Sequence, residues 1–167
     1  MDGKLARTSK DRKMITGGPA IILCEPQLGE NIGMVARAMA NFGLSNLRLV
    51  NPREGWPNEK AERASAKAVH VIAGVKVFDN LPSAIADMNY VLATTARDRD
   101  GYKPMLGPVV AAQELRNRDT SGQATGILFG RERWGLNNEE ISLSDAIVTF
   151  PVNPAFASLN IAQAVLL

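Results

Sequence analysis

Short, unbroken apolar runs alternate with stretches of helical periodicity along nearly the whole chain, and this alternation restricts the fold more than any other feature of the sequence. The runs Ala20 to Cys24, Leu47 to Val50, Val75 to Phe78, Tyr90 to Thr94, Gly126 to Phe129 and Ala146 to Phe150 predict about six strands. Several carry no alternating polar residues, as expected of strands covered on both faces. Strands separated by helices imply parallel pairing, because a parallel neighbour requires a long crossover. The expected class is α/β, with a parallel, doubly wound sheet. At 167 residues and 46% apolar content the chain has the size of one domain with a sizeable core. Aromatic content of 5%, set against abundant Ala, Val, Ile and Leu, disfavours a β-sandwich.

Between the first two strands, Ile32, Val35, Met39 and Phe42 recur at helical spacing. Asn31 stands where it can cap that helix, Gly43 where the helix should stop, and Arg37 projects away from the apolar stripe. Further helices are predicted around Glu59 to Val69, Leu81 to Met88, Val109 to Arg116, Asn137 to Ser142 and from Ser158 onward. Residues 1–18 lack apolar periodicity and read as a basic arm, leaving 19–167 as the domain. Lys4, Arg7, Lys10, Arg12 and Lys13 stand there against Asp2 and Asp11, so the body is close to neutral although the net charge is +2. An RNA-grasping tail and an inert solvated tail both fit that composition. The last helical pattern stops at Leu167 without a cap, which predicts a piece cut from a longer protein.

The single cysteine, Cys24, lies within an apolar run and has no neighbouring cation or histidine to lower its pKa, so it reads as a small core residue in a reducing compartment. No apolar stretch reaches the length of a membrane span, and the N-terminus has no hydrophobic signal core. The expectation is a cytoplasmic protein with no membrane partner. The lone His70, between Val69 and Val71, reads as structural.

Three turns follow predicted strand ends, where open α/β sheets bind ligands. They are Thr94-Thr95-Ala96-Arg97, Gly130-Arg131-Glu132-Arg133-Trp134-Gly135-Leu136, and Phe150 through Asn160. None contains G-x-G-x-x-G or a P-loop pattern, so a dinucleotide dehydrogenase or a nucleoside triphosphatase has poor support. Taken singly, ordinary turn chemistry explains the glycines and prolines.

In combination, Asn31-x-Gly33-x-x-x-Arg37, then Phe129-Gly130-x-Glu132-x-x-Gly135-Leu136, then Pro151 through Ser158-Leu159-Asn160 resemble the motif set of SpoU-type RNA methyltransferases of the SPOUT superfamily. The likeness runs from about Ala20 to Leu167. With the intervening Leu47-Arg48-Leu49-Val50-Asn51-Pro52, it is greatest to the branch that methylates a pyrimidine ribose at position 32 of the tRNA anticodon loop. The resemblance implies a Rossmann-like sheet with a C-terminal trefoil knot, S-adenosylmethionine as cofactor and no metal. It also implies a tRNA or rRNA partner and a homodimer, for which the apolar segment 161–167 offers surface. A non-catalytic RNA-binding module on the same fold is the rival reading.

By motif, the cofactor site implied takes in Thr94, Thr95, Ala96, Gly130, Phe150, Ala157, Ser158 and Leu159. Main-chain groups and a glycine that admits close approach suit an adenine edge and ribose. Arg37 is the implied catalytic arginine. A guanidinium stays protonated, so phosphate clamping and stabilisation of a developing alkoxide suit it better than proton abstraction. Asn160 is implied in substrate orientation, and Asn31 in either capping or substrate contact. Glu132 suits bracing of its turn by accepting backbone N–H bonds. Arg97, Arg131 and Arg133, with Arg99 and Lys103, suit phosphate contacts that position RNA without reading its sequence, although solvated loop charges explain Arg99 and Lys103 as well.

Overall fold

The computed structural model describes residues 17–95, 103–150 and 161–166. The run Ala20-Ile21-Ile22-Leu23-Cys24 becomes strand β1 (Ala20–Cys24), buried at every position because both faces of a central parallel strand are covered. Its neighbours are β2 (Leu47–Val50) on one side and β6 (Thr125–Phe129) on the other. Beyond β2 lies β3 (Lys76–Phe78). Beyond β6 lie β4 (Tyr90–Thr94), β7 (Ala146–Val148) and the two-residue β5 (Met105–Leu106), giving the order β3-β2-β1-β6-β4-β7-β5 with every pairing parallel.

Helices cover both faces. Ile21, Leu23, Leu47, Leu49 and Phe129 meet α1 (Gly29–Asn41), α2 (Glu59–Ala64), α3 (Val69–Ala73) and α7 (Ile161–Leu166) on one face. Farther along that face, Tyr90, Leu92 and Val148 pack on α5 (Pro108–Thr120). Alternate residues Ala20, Ile22, Cys24, Ala93 and Leu128 point the other way, against α4 (Leu81–Ile85) and α6 (Asn138–Ser142). The expected parallel, doubly wound α/β sheet is present.

Several local expectations change. α1 starts three residues early, at Gly29, and Asn31 does not cap it. The Glu54 carboxylate accepts from the Gly29 backbone N–H at 2.8 Å, and this hydrogen bond holds its pKa below the usual carboxylate value. Phe42 falls outside the apolar stripe, because α1 ends at Asn41 and leaves that ring 70% exposed. Gly43 does adopt φ +77°, the left-handed conformation that ends the helix. The single helix expected over Glu59 to Val69 is two, because Ala66 and Lys67 take φ +48° and +72° and break the ladder. β5 is a seventh strand that the periodicity does not show.

Gly33 fixes where α1 crosses its neighbour. A Cβ there would collide with the Ala61 carbonyl oxygen of α2, and would lie 2.7 Å from Ala64 Cβ and 2.9 Å from Ser65 N. The two helices can approach this closely only because position 33 has no side chain. Gly33→Ala is expected to lower stability by about 1–3 kcal/mol, since the obstacle is rigid backbone, and urea denaturation measures the loss.

Candidate functional site

The chain leaves β1 for α1 on one face of the sheet and leaves β6 for α6 on the other. The loops after these adjacent strands therefore diverge at the C-terminal edge, the switch point at which open α/β sheets form their ligand crevice.

Charged side chains tie the two loops together. Arg131, just after β6, donates from Nε to Glu25 Oε2 at 2.6 Å, just after β1. It also donates from NH1 to Glu140 Oε1 at 2.9 Å and to the Gly135 carbonyl at 3.2 Å. The Arg131 side chain is 16% exposed and that of Glu140 12%. Hydrogen bonding to Glu140, and then to Glu25, raises the guanidinium pKa above its ordinary value. Arg131 was expected among the phosphate contacts, but its donors are occupied by the protein, which places it in support of the site.

Glu132 makes the second tie. Its carboxylate accepts from the Gln27 backbone N–H at 3.0 and 3.3 Å and from Asn31 Nδ2 at 3.1 Å. The bracing expected of Glu132 within its own turn is thus directed across the crevice, and Asn31 is a partner in it instead of a cap. Two motifs separated by 101 positions meet here. Glu25, Gln27 and Glu140 were missed by sequence reasoning. Glu140 carried a signal, since Asn137 and Glu140 form a capping box at α6, with Asn137 accepting from Glu140 N and Glu140 accepting from Asn137 N.

The turn itself is closed by paired backbone hydrogen bonds, Gly135 N to Arg131 O at 2.8 Å and Arg131 N to Gly135 O at 3.2 Å. A Cβ on Gly130 would collide with the backbone of Gly135 and Leu136. The fold alone therefore demands glycine at 130, and a larger residue would displace the turn. Past Trp134, Gly135 takes φ +69° to complete it.

Thr94 and Phe150 line an apolar crevice between α5 and α7, together with Leu92, Ile127, Phe129 and Val148. Thr94 Oγ1 donates to the Leu128 carbonyl at 2.7 Å, which leaves its hydroxyl with acceptor capacity only. Thr95 N reaches the Val148 carbonyl at 3.3 Å, joining the ends of β4 and β7. Arg37 is exposed on α1 with no hydrogen bond or ion pair among the described residues. Arg133 is exposed as well, its guanidinium 5.2 Å from the Trp134 ring centroid. Lys103 Nζ donates to the Ser144 carbonyl, so it serves the loop after α6. Ala96, Arg97, Arg99, Ala157, Ser158, Leu159 and Asn160 lie outside the described residues. Among the described residues no helix is long and apolar enough to cross a membrane, and no three His, Cys, Asp or Glu side chains are grouped to hold a metal ion.

Residues 18–167 match the model of the SpoU rRNA Methylase family. The chain belongs to this family. Among SpoU relatives, the tRNA (cytidine/uridine-2′-O-)-methyltransferase TrmJ of Sodalis glossinidius is 42% identical over 146 residues, 87% of this chain and 56% of that protein. The crystal structure of TrmJ from Z. mobilis ZM4 superposes with a TM-score of 0.85 at 51% identity, covering 90% of this chain and 66% of the other. The SpoU methyltransferase AviRb from Streptomyces viridochromogenes, solved in complex with the cofactor AdoMet, gives a TM-score of 0.68 at 20% identity over 93% of this chain and 58% of its own. That last likeness is one of fold. The chain thus spans between half and two thirds of the length of these SpoU proteins.

Two outcomes follow from the charged crevice. Arg131→Met is expected to cost about 3 kcal/mol, because it strands a buried carboxylate, and adding Glu140→Gln should restore part of the loss in the same denaturation series. Cys24, fully buried beside Glu140, has its thiol pKa pushed up first by burial and then by that carboxylate. An alkylating reagent at neutral pH should leave Cys24 untouched in the native protein and modify it only on unfolding.

Proposed function

We propose that the chain is the catalytic domain of an S-adenosylmethionine-dependent RNA ribose 2′-O-methyltransferase, acting on a pyrimidine of the tRNA anticodon loop, with position 32 as the expected target. The observation that carries this reading is the meeting of Asn31 and Glu132 across the crevice, which assembles two of the motifs typical of SpoU enzymes into one site. The family match and the named activity of the TrmJ relatives support it.

The apolar crevice beside Thr94 and Phe150 fits an uncharged heteroaromatic ring such as adenine, with Thr94 offering an acceptor. Ala96, Ala157, Ser158 and Leu159 complete the proposed cofactor contacts. The cofactor supplies an electrophilic methyl group on a sulfonium leaving group. The protein's tasks are then to orient the ribose and to stabilise negative charge as the 2′-hydroxyl loses its proton. Arg37, without a partner among the described residues and permanently charged, suits the second task and can clamp a phosphate at the same time. Asn160 is assigned to orienting the substrate.

β7 lies between β4 and β5, and these two strands are joined by the segment 95–104. The C-terminal trefoil knot of the SPOUT fold is part of the proposed reading, on the strength of the family match. A homodimer in the cytoplasm, with RNA lying across both subunits, completes the reading.

Incubation with labelled cofactor and either total tRNA or rRNA, followed by mapping of ribose methylation, tests the proposal. Methylated anticodon-loop pyrimidines are expected; methylation of rRNA alone redirects the substrate, and cofactor binding without transfer favours the non-catalytic module. Arg37→Ala should leave cofactor affinity unchanged while lowering single-turnover methyl transfer about a hundredfold or more, and Arg37→Lys should rescue it poorly. A near-normal rate for Arg37→Ala at saturating tRNA removes Arg37 from the mechanism.

A further inference from the structure

The turn between β6 and α6 presents an aromatic ring that neither the core nor the motif roles account for. Trp134 is 65% exposed at the tip of that turn. A single exposed apolar residue is ordinary, but three features set Trp134 apart. Its backbone is held on both sides by the paired hydrogen bonds between Arg131 and Gly135, and the turn is anchored below by the Arg131 contacts to Glu25 and Glu140. Glu132 ties the same turn to Gln27 and Asn31, so the ring is carried by a strongly braced turn. Finally, Arg133 sets its guanidinium 5.2 Å from the ring centroid, and neither Arg133 nor Arg37 has an ion-pair partner among the described residues.

An exposed aromatic ring on a braced turn, backed by a guanidinium with no ion-pair partner among the described residues, has the chemistry of a single-stranded RNA platform. Every nucleobase offers a π-face for stacking, while a neighbouring cation attracts the phosphates. Because the turn is held in place before RNA arrives, little ordering remains to be done on binding. We propose that Trp134, supported by Arg133, is a stacking platform for an unpaired base of the substrate RNA, lying next to the ribose that is methylated. This rests on the proposed action on RNA and adds to it a residue that discriminates unpaired loops from paired stems, since a base within a duplex cannot present its face.

The test uses the whole chain with two probes, a fluorescein-labelled RNA hairpin carrying an unpaired loop and the blunt duplex of its stem. Anisotropy titrations should show that Trp134→Ala weakens hairpin binding about tenfold, within the range for loss of one base–aromatic stack, and leaves duplex binding unchanged. Trp134→Phe should keep most of the hairpin affinity. Intrinsic tryptophan emission should be quenched by the hairpin in the unaltered protein, and that quench should vanish in Trp134→Phe, which retains only Trp56. Equal losses on hairpin and duplex, an unchanged hairpin affinity for Trp134→Ala, or an unaltered chain that binds hairpin no better than duplex overturns the platform. Methyl transfer to tRNA is measured separately, so hairpin stacking without transfer overturns the enzymatic reading while leaving the platform standing.

Discussion

The guanidinium of Arg131, held between Glu25 and Glu140, is the interaction on which the C-terminal edge of the sheet depends. The chain sends the loops after β1 and β6 to opposite faces, and nothing in parallel-sheet pairing holds their ends together beyond Leu23 and Phe129. A long charged side chain bridges the gap by reaching acceptors on both loops at once. Withdrawing three charges from water is costly, and such a cluster is weak evidence for stability as such. Its value lies in position. With Glu25, Gly135 and Glu140 all accepting from one planar group, the turn after β6 has a single well-satisfied geometry.

That geometry is passed to α1 by Glu132. Its carboxylate takes the Gln27 N–H, in the loop leading into the helix, and the Asn31 side chain in the helix's first turn. Farther along, α1 is pressed against α2 at Gly33, where the contact is backbone to backbone. The helix is thereby fixed at its start by electrostatics and along its flank by close packing. Arg37 lies one turn beyond Gly33, so its direction is inherited from both. For the proposed role of Arg37, a rigid helix beneath the side chain would limit where its charge can go.

How much of this was legible depended on the range of the interactions. The strands at Ala20 to Cys24 and Tyr90 to Thr94 appear where the unbroken apolar runs place them, and Ile32, Val35 and Met39 face the core as the helical spacing requires. Burial on both faces and helical periodicity are both written within a few residues. β5 was invisible because two residues carry no period, and the break at Ala66 and Lys67 because neither residue type signals a left-handed backbone. Phe42 kept the apolar spacing but lost the helix one residue before it mattered. The roles of Arg131 and Asn31 were illegible for a stronger reason. Their partners lie 106 and 101 positions away, and only the crossover topology brings them within reach. Glycine at 130 and 33 was recognisable as significant, yet its cause is the protein's own backbone, which no local pattern discloses.

The arginines around the crevice divide by what they face. Arg131 is neutralised by carboxylates and builds the site, while Arg37 and Arg133 have no such partner among the described residues and remain available to a ligand. A net charge of +2 conceals this division, since it sums structural and available cations alike. Outside the basic N-terminal residues the chain is close to neutral, so under the proposed action on RNA counterion release from a long phosphate track would supply only part of the affinity. On that reading, selectivity would come from a few fixed groups at the crevice. That is the arrangement which the braced turn and the packed start of α1 provide.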